Sequence, residues 1–236
     1  MELKMDKNGF IQRMRIDRKS QSTIKRNIEF TKKFEKYLLD DKKKKIERAT
    51  PKDLENFRVW GEKNKLKNIR MYFMSIAAYF EYLHKEQMFL NAKELMGSIK
   101  LDTYKLKNFQ GIKKVNIEKL NRNGIKTARQ ILEIGCTKKG RKKLSKITDI
   151  PLDNILELVK LSDLARIPGI KKVRARLYYE AGLDTLEKIS GYDAEELRKI
   201  STEHILKASF KGIPPTKKEA ENAVKLAKYL KKYVEY

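Results

Sequence analysis

One cysteine, Cys136, and two histidines are all that 236 residues offer as soft metal ligands. A lone thiol forms no internal disulfide, which suits a reducing interior. Three such residues do not build a zinc finger, and no pair of carboxylates falls in a metal-binding pattern. Glycine (11) and proline (5) are scarce and stand between segments rather than within them. Alternating apolar and polar residues are equally rare, so strands are not expected. No stretch approaches the roughly 20 apolar residues of a membrane span, and Met1–Lys7 lacks the apolar run of a signal peptide. The expectation is an intracellular protein without a membrane partner. Acid is the other shortage. Against 56 Lys and Arg stand 31 Asp and Glu, a net charge of +25. The surplus divides as +11 over residues 1–100 and +14 over residues 101–236, so it is no single basic tail. A fold does not need that excess, which points to a polyanionic partner.

Helical spacing fills the chain. Ile24, Ile28, Phe34 and Leu38 follow Ser20 and Ser22 at near i, i+4 steps. Thr50-Pro51-Lys52-Asp53 opens a helix carrying Leu54, Phe57 and Trp60. Residues 67–86 repeat Ile69, Phe73, Ile76, Phe80 and Leu83 on one face. Asp40–Lys45 reads as a solvated loop. Polar residues 1–17 read as a flexible N-terminus. Patterning weakens over 97–104, which divides a bundle at 18–100 from a second domain at 101–236. The fold class is all-α.

The second domain contains a repeat. Residues 109–132 align with 167–190 at a constant offset of 58, with eight identities: Gly111/Gly169, Ile112/Ile170, Lys113/Lys171, Lys114/Lys172, Val115/Val173, Gly124/Gly182, Thr127/Thr185 and Ile131/Ile189. Each copy reads as a short helix, a glycine turn and a second helix. Asp193-Ala-Glu-Glu196 and Thr216-Lys-Lys-Glu219 are capping-box starts for later helices. A turn between helices bares amides at the start of the second helix, and the helix dipole favours an anion there. Glycine lets a phosphate approach the backbone. Lys113, Lys114, Lys171, Lys172 and Arg174 add cations beside these turns. As plain turns the glycines are also sufficient for a helical repeat. The duplicated lysines and the net charge favour phosphate binding. A further run, Lys138-Lys139-Gly140-Arg141-Lys142-Lys143, starts a helix behind Thr137 and adds basic candidates.

Both copies resemble helix–hairpin–helix DNA-binding motifs, whose pattern is apolar-x-Gly-apolar-Gly-x-x-x-Ala. Ile167, Gly169, Ile170 and Ala175 fit it in the second copy. Lys113 and Lys171 stand where the pattern has its second glycine, and Ile117 replaces the first copy's Ala. Residues 106–232 further resemble an uncharacterised domain family built from two such units, through Gly135–Arg141, Leu161–Gly169 and Ala181–Thr185. Ser22–Asn27, Phe34–Leu38, Ala49–Leu54 and Lys67–Tyr82 resemble the N-terminal core-binding, SAM-like domain of tyrosine recombinases and phage integrases, a helical bundle that clamps duplex DNA. That resemblance implies backbone contacts from Lys63, Lys65, Lys67 and Arg70.

No catalytic apparatus is legible. The separate catalytic domain of a tyrosine recombinase is not expected here, since the residues after 105 read as the hairpin repeat. His84 and His204 lie far apart on helices. Tyr233 and Tyr236 lack a basic signature to activate them. Cys136 reads as a packed small residue, and no glycine-rich nucleotide loop is present. The expectation is therefore a non-enzymatic protein without cofactor or metal. It would bind duplex or branched DNA, with RNA as a possible partner, and be cytoplasmic and nucleoid-associated. A lysine-dependent lyase or nuclease accessory, and a protein-interaction module, are the alternatives.

Overall fold

Apolar stripes and side-chain caps translate directly into helices in the computed structural model, which describes residues 5–232 and 234–236 and is all-α. Among the described residues no strand forms, although Lys105 and Thr127 make an isolated antiparallel bridge. No helix among them is long and apolar enough to cross a membrane. The chain divides into two compact units, Met1–Met96 and Gly97–Tyr236.

The first unit contains α1 (Lys7–Ile16), α2 (Gln21–Lys42), a 3₁₀ turn (Ile46–Arg48), α3 (Pro51–Lys63), α4 (Ile69–Tyr82) and the start of α5 (Glu86–Thr103). Its core is aromatic: Phe34, Phe57, Phe73, Tyr79 and Phe80 are fully buried. Rings meet edge-on, as in Phe34 and Phe57 with centroids 5.0 Å apart. Inside this apolar shell the Ser75 hydroxyl donates to the Asn27 side-chain carbonyl at 2.9 Å, so two buried polar groups satisfy each other.

One expectation is corrected here. The expected flexible N-terminus, 1–17, is not a loose arm over its described residues, 5–17. Asp6 caps α1, accepting from the Gly9 amide at 3.0 Å, and Phe10 and Met14 are buried. Phe10 packs edge-on against Tyr79 at 5.2 Å, burying an apolar surface that the surrounding charges hide in the sequence. The two units part at the start of the 97–104 segment, between Met96 and Gly97, and α5 runs through it to Thr103. The weak pattern there reflects close packing: a Cβ on Gly97 would lie 2.0 Å from the Arg166 carbonyl oxygen. The last turns of α5 are built into the second unit. Buried Lys100 donates to the carbonyls of Ala165 (3.0 Å) and Ile170, and Asp102 pairs with Arg129.

The second unit runs on through a 3₁₀ turn (Leu106–Asn108), α6 (Lys114–Arg122), α7 (Ala128–Gly135), α8 (Lys138–Thr148), α9 (Leu152–Leu164), α10 (Lys172–Glu180), α11 (Leu186–Ser190), α12 (Ala194–Lys207) and α13 (Lys217–Tyr229). The repeat survives in three dimensions. Helices α6 and α10 coincide at the 58-residue offset, and Gly124 and Gly182 close them with φ of +78° and +79°. Thr127 and Thr185 then cap α7 and α11. Helix α7 packs on α9 as α11 packs on α13. The copies differ at their first helix, which is a single 3₁₀ turn in one and the thirteen-residue α9 in the other.

Candidate nucleic-acid interface

The hairpin turns adopt the backbone that their glycines allow. Gly111 has φ +80° and Gly169 φ +100°, both in the left-handed region. Lys113 and Lys171, standing where the motif has a second glycine, have φ −61° and −120° and need none. They are the N-cap residues of α6 and α10. Neither helix has a side-chain cap, whereas Thr127, Thr137, Thr185, Asp193 and Thr216 each cap theirs in the same unit. First-turn amides that no side-chain cap fills, beside lysines, are where an oxyanion gains most. Lys113, Lys114, Lys171 and Lys172 are all exposed, and Lys114 has only a long 3.9 Å approach to Glu118.

The two hairpins are side by side. Arg176 of α10 donates to the Gln110 carbonyl at 2.8 Å and pairs with Glu157 at 2.6 Å, so its guanidinium lies beneath Gly111. Lys107, Asn108 and Gln110 of the first turn line one cleft, of about 570 Å³, with Lys171 and Lys172 of the second. Tyr104, on the same wall, places its hydroxyl against the Lys172 amide; burial raises its pKa despite that contact. The second hairpin's first amide is thus partly engaged, and the first hairpin is the more open.

Arg174 is not free to reach out. Its guanidinium donates to the Ile213 carbonyl at 2.7 Å and faces Glu219 at 3.4 Å, pinning the loop before α13. Arg141 is likewise a structural group. It is 4 % exposed and donates to the carbonyls of Gly135 (2.8 Å), Cys136 (3.3 Å) and Glu235, its charge spent on helix-end and tail carbonyls. The start of α8 is also occupied: the Lys138 amide donates to the Glu235 carboxylate at 2.9 Å. Lys138, Lys139, Lys142 and Lys143 remain exposed around it, as a solvated basic face rather than an open anion site.

In the first unit Lys63, Lys65 and Lys67 are exposed at the turn from α3 to α4, where Lys65 and Asn68 have φ of +52° and +56°. Arg70 is half-buried, and its Nε has no hydrogen-bond partner. Of the residues that could suggest catalysis, Tyr236, Cys136 and His204 meet groups of the fold. The Tyr236 hydroxyl donates to buried Asp163 at 3.1 Å; burial, then the Asp163 charge, raise its pKa far above the usual phenol value. Cys136 closes α7 and donates to the Glu133 carbonyl at 3.3 Å. His204 faces Glu180 at 3.6 Å, and His84 is exposed. Tyr233 lies outside the described residues. Among the described residues no cluster of His, Cys, Asp or Glu is arranged to hold a metal.

Sequence reasoning missed Lys105, Lys107, Arg122 and Lys126. The bridge between Lys105 and Thr127, with Leu106 donating to the Lys126 carbonyl at 3.0 Å, lays one extended segment beside another. Residues some twenty positions apart thereby share a cleft of about 490 Å³ with Ile117 and Asn121. No run of charge marks them in the sequence; the signal was the departure from the second copy, which has other residues there. Residues 110–230 match the family model described as "Domain of unknown function (DUF4332)". No curated protein and no solved structure matches the chain.

Proposed function

The chain belongs to that family, and from this premise we propose that it is a non-catalytic protein binding the phosphate backbone of duplex or branched DNA. Binding is largely independent of sequence and serves recombination, repair or DNA architecture. One observation carries the reading: α6 and α10 begin at exposed lysines with no side-chain cap, beside positive-φ glycines, in a unit where each Thr- or Asp-led helix is capped and Pro-led α9 shares the lack. Amides and ammonium groups meet phosphate oxygens, which carry no base information. RNA offers the same oxygens and stays a partner of the second rank. The resemblance of the first unit to an integrase core-binding bundle extends the reading to Lys63, Lys65 and Lys67. The chain's net charge of +25 supports it throughout.

Binding of a labelled duplex, followed by anisotropy at several salt concentrations, tests the proposal. If about six to ten phosphates are neutralised, affinity falls roughly 10³–10⁵-fold between about 50 and 200 mM salt. Unrelated duplex sequences bind within a small factor of one another. A flat salt response, or strong discrimination between sequences, overturns the reading.

A further inference from the structure

The cleft formed by Lys105, Lys107, Arg122 and Lys126 sets the two copies of the repeat apart. All four side chains are exposed, and none has a carboxylate within 4 Å among the described residues. At the 58-residue offset stand Asp163, Ala165, Glu180 and Asp184. Positions 122 and 180 both end the hairpin's second helix, and 126 and 184 both precede a capping threonine. Positions 105 and 163 differ locally, since one lies on an extended segment and the other in the last turn of α9.

The charge reversal shows that the fold does not require cations here. In the second copy the carboxylates close internal pairs. Asp184 holds Lys160 and Lys188 (2.7 Å), Asp163 holds Arg166 (2.8 Å), and Glu180 faces Arg176 at 3.6 Å. Burial pushes the Asp184 pKa up, but hydrogen bonds from the two lysines outweigh it and leave the group below its usual value. In the first copy nothing anionic takes that role. A helix C-terminus favours Arg122 on its own, but Lys105 and Lys126 lie on extended segments that offer no such compensation. Cations brought together without a counter-charge repel one another, so the arrangement fits an anion supplied from outside. Lys107 also lines the neighbouring cleft between the hairpins, which joins this site to the exposed lysines there.

We infer that the first repeat carries a second phosphate-binding site, the Lys105–Lys107–Arg122–Lys126 cleft, whose acidic counterpart positions in the second repeat are closed by internal ion pairs. The assignment of the bound phosphates to a nucleic-acid strand rests on the function proposed above; the phosphate chemistry does not. The test gives the first repeat the second repeat's own residues, in the full-length variant Arg122→Glu/Lys126→Asp. Arg122→Gln/Lys126→Gln is the companion variant, and circular dichroism verifies the fold of both. Two probes are titrated, a labelled DNA duplex and inorganic tripolyphosphate.

The expected result is at least a tenfold loss of duplex affinity in the charge-reversed variant. Its log–log salt slope should shrink by about two, one for each phosphate contact removed. The Gln variant should fall between it and the parent. If both variants bind either probe as the parent does, the cleft is not a phosphate site, while salt-dependent duplex binding by the parent still upholds the broader reading. If the parent binds tripolyphosphate through these residues and no DNA, the cleft stands and the nucleic-acid reading falls. If a variant unfolds, the Gln form decides, since it removes charge without adding a repulsive one.

Discussion

Gly111 and Gly169 occupy equivalent turns but are held differently. An added Cβ at Gly169 meets nothing within 4 Å, so Gly169→Ala suffers only from its φ of +100°. That strain costs about 1–3 kcal/mol. At Gly111 the Cβ would also come within 2.9 Å of the Arg176 guanidinium, which is committed to Gln110 and Glu157. Gly111→Ala should therefore be the more destabilising of the two in urea denaturation. Equal losses would mean that Arg176 moves aside freely and is not the prop of the first hairpin. Arg141 and Arg174 carry the same lesson for charge. Each looks like a ligand in a basic run or beside a basic turn, yet each donates to the chain's own carbonyls.

At the scale of the element, the missing caps of α6 and α10 separate stability from function. An N-cap Asp or Ser contributes about 0.5–2 kcal/mol relative to a residue that cannot cap. Lys113 and Lys171 already have extended N-cap backbone, so Lys113→Asp/Lys171→Asp should raise the melting temperature. The same carboxylates would occupy the first-turn amides and remove two cations, so affinity for DNA should fall and its salt dependence weaken. Tighter folding together with unchanged DNA binding would show that the hairpins are turns and nothing more. The start of α8 already illustrates such a filled terminus, with Glu235 against the Lys138 amide at 2.9 Å.

Over the whole molecule, the positive surplus is shared by two units, each with its own core. Fragments 1–96 and 97–236 should both give cooperative thermal unfolding. Each should bind duplex DNA more weakly than the intact chain, because linkage raises the effective concentration of the second site. Cutting after Asp102 is expected to behave differently. It removes Lys100 from the carbonyls of Ala165 and Ile170 and Asp102 from Arg129, leaving buried acceptors unmet. Each such loss costs about 1–3 kcal/mol, so fragment 103–236 should melt well below fragment 97–236. If one of the two proper fragments holds all of the affinity, the two-site reading is wrong.

Local chemistry was readable from the sequence: the stripe at Ile24, Ile28, Phe34 and Leu38, the Thr and Asp caps, and the glycines that repeat at an offset of 58 all act within a few residues of themselves. Helix class and the repeat arise from such short-range terms. Helix α1 escaped because its anchor is Tyr79, nearly seventy residues away from Phe10. The continuity of α5 escaped because Gly97 signals a close approach to Arg166, not a break. The choice between ligand and brace for an arginine is also non-local, since Arg141 finds the Glu235 carbonyl and Arg176 the Gln110 carbonyl only once the chain is folded. The basic cleft belongs to the tertiary structure for the same reason. Lys105 and Lys126 are brought together by a single backbone bridge, and charge, unlike helical periodicity, leaves no trace of its partners in the order of residues.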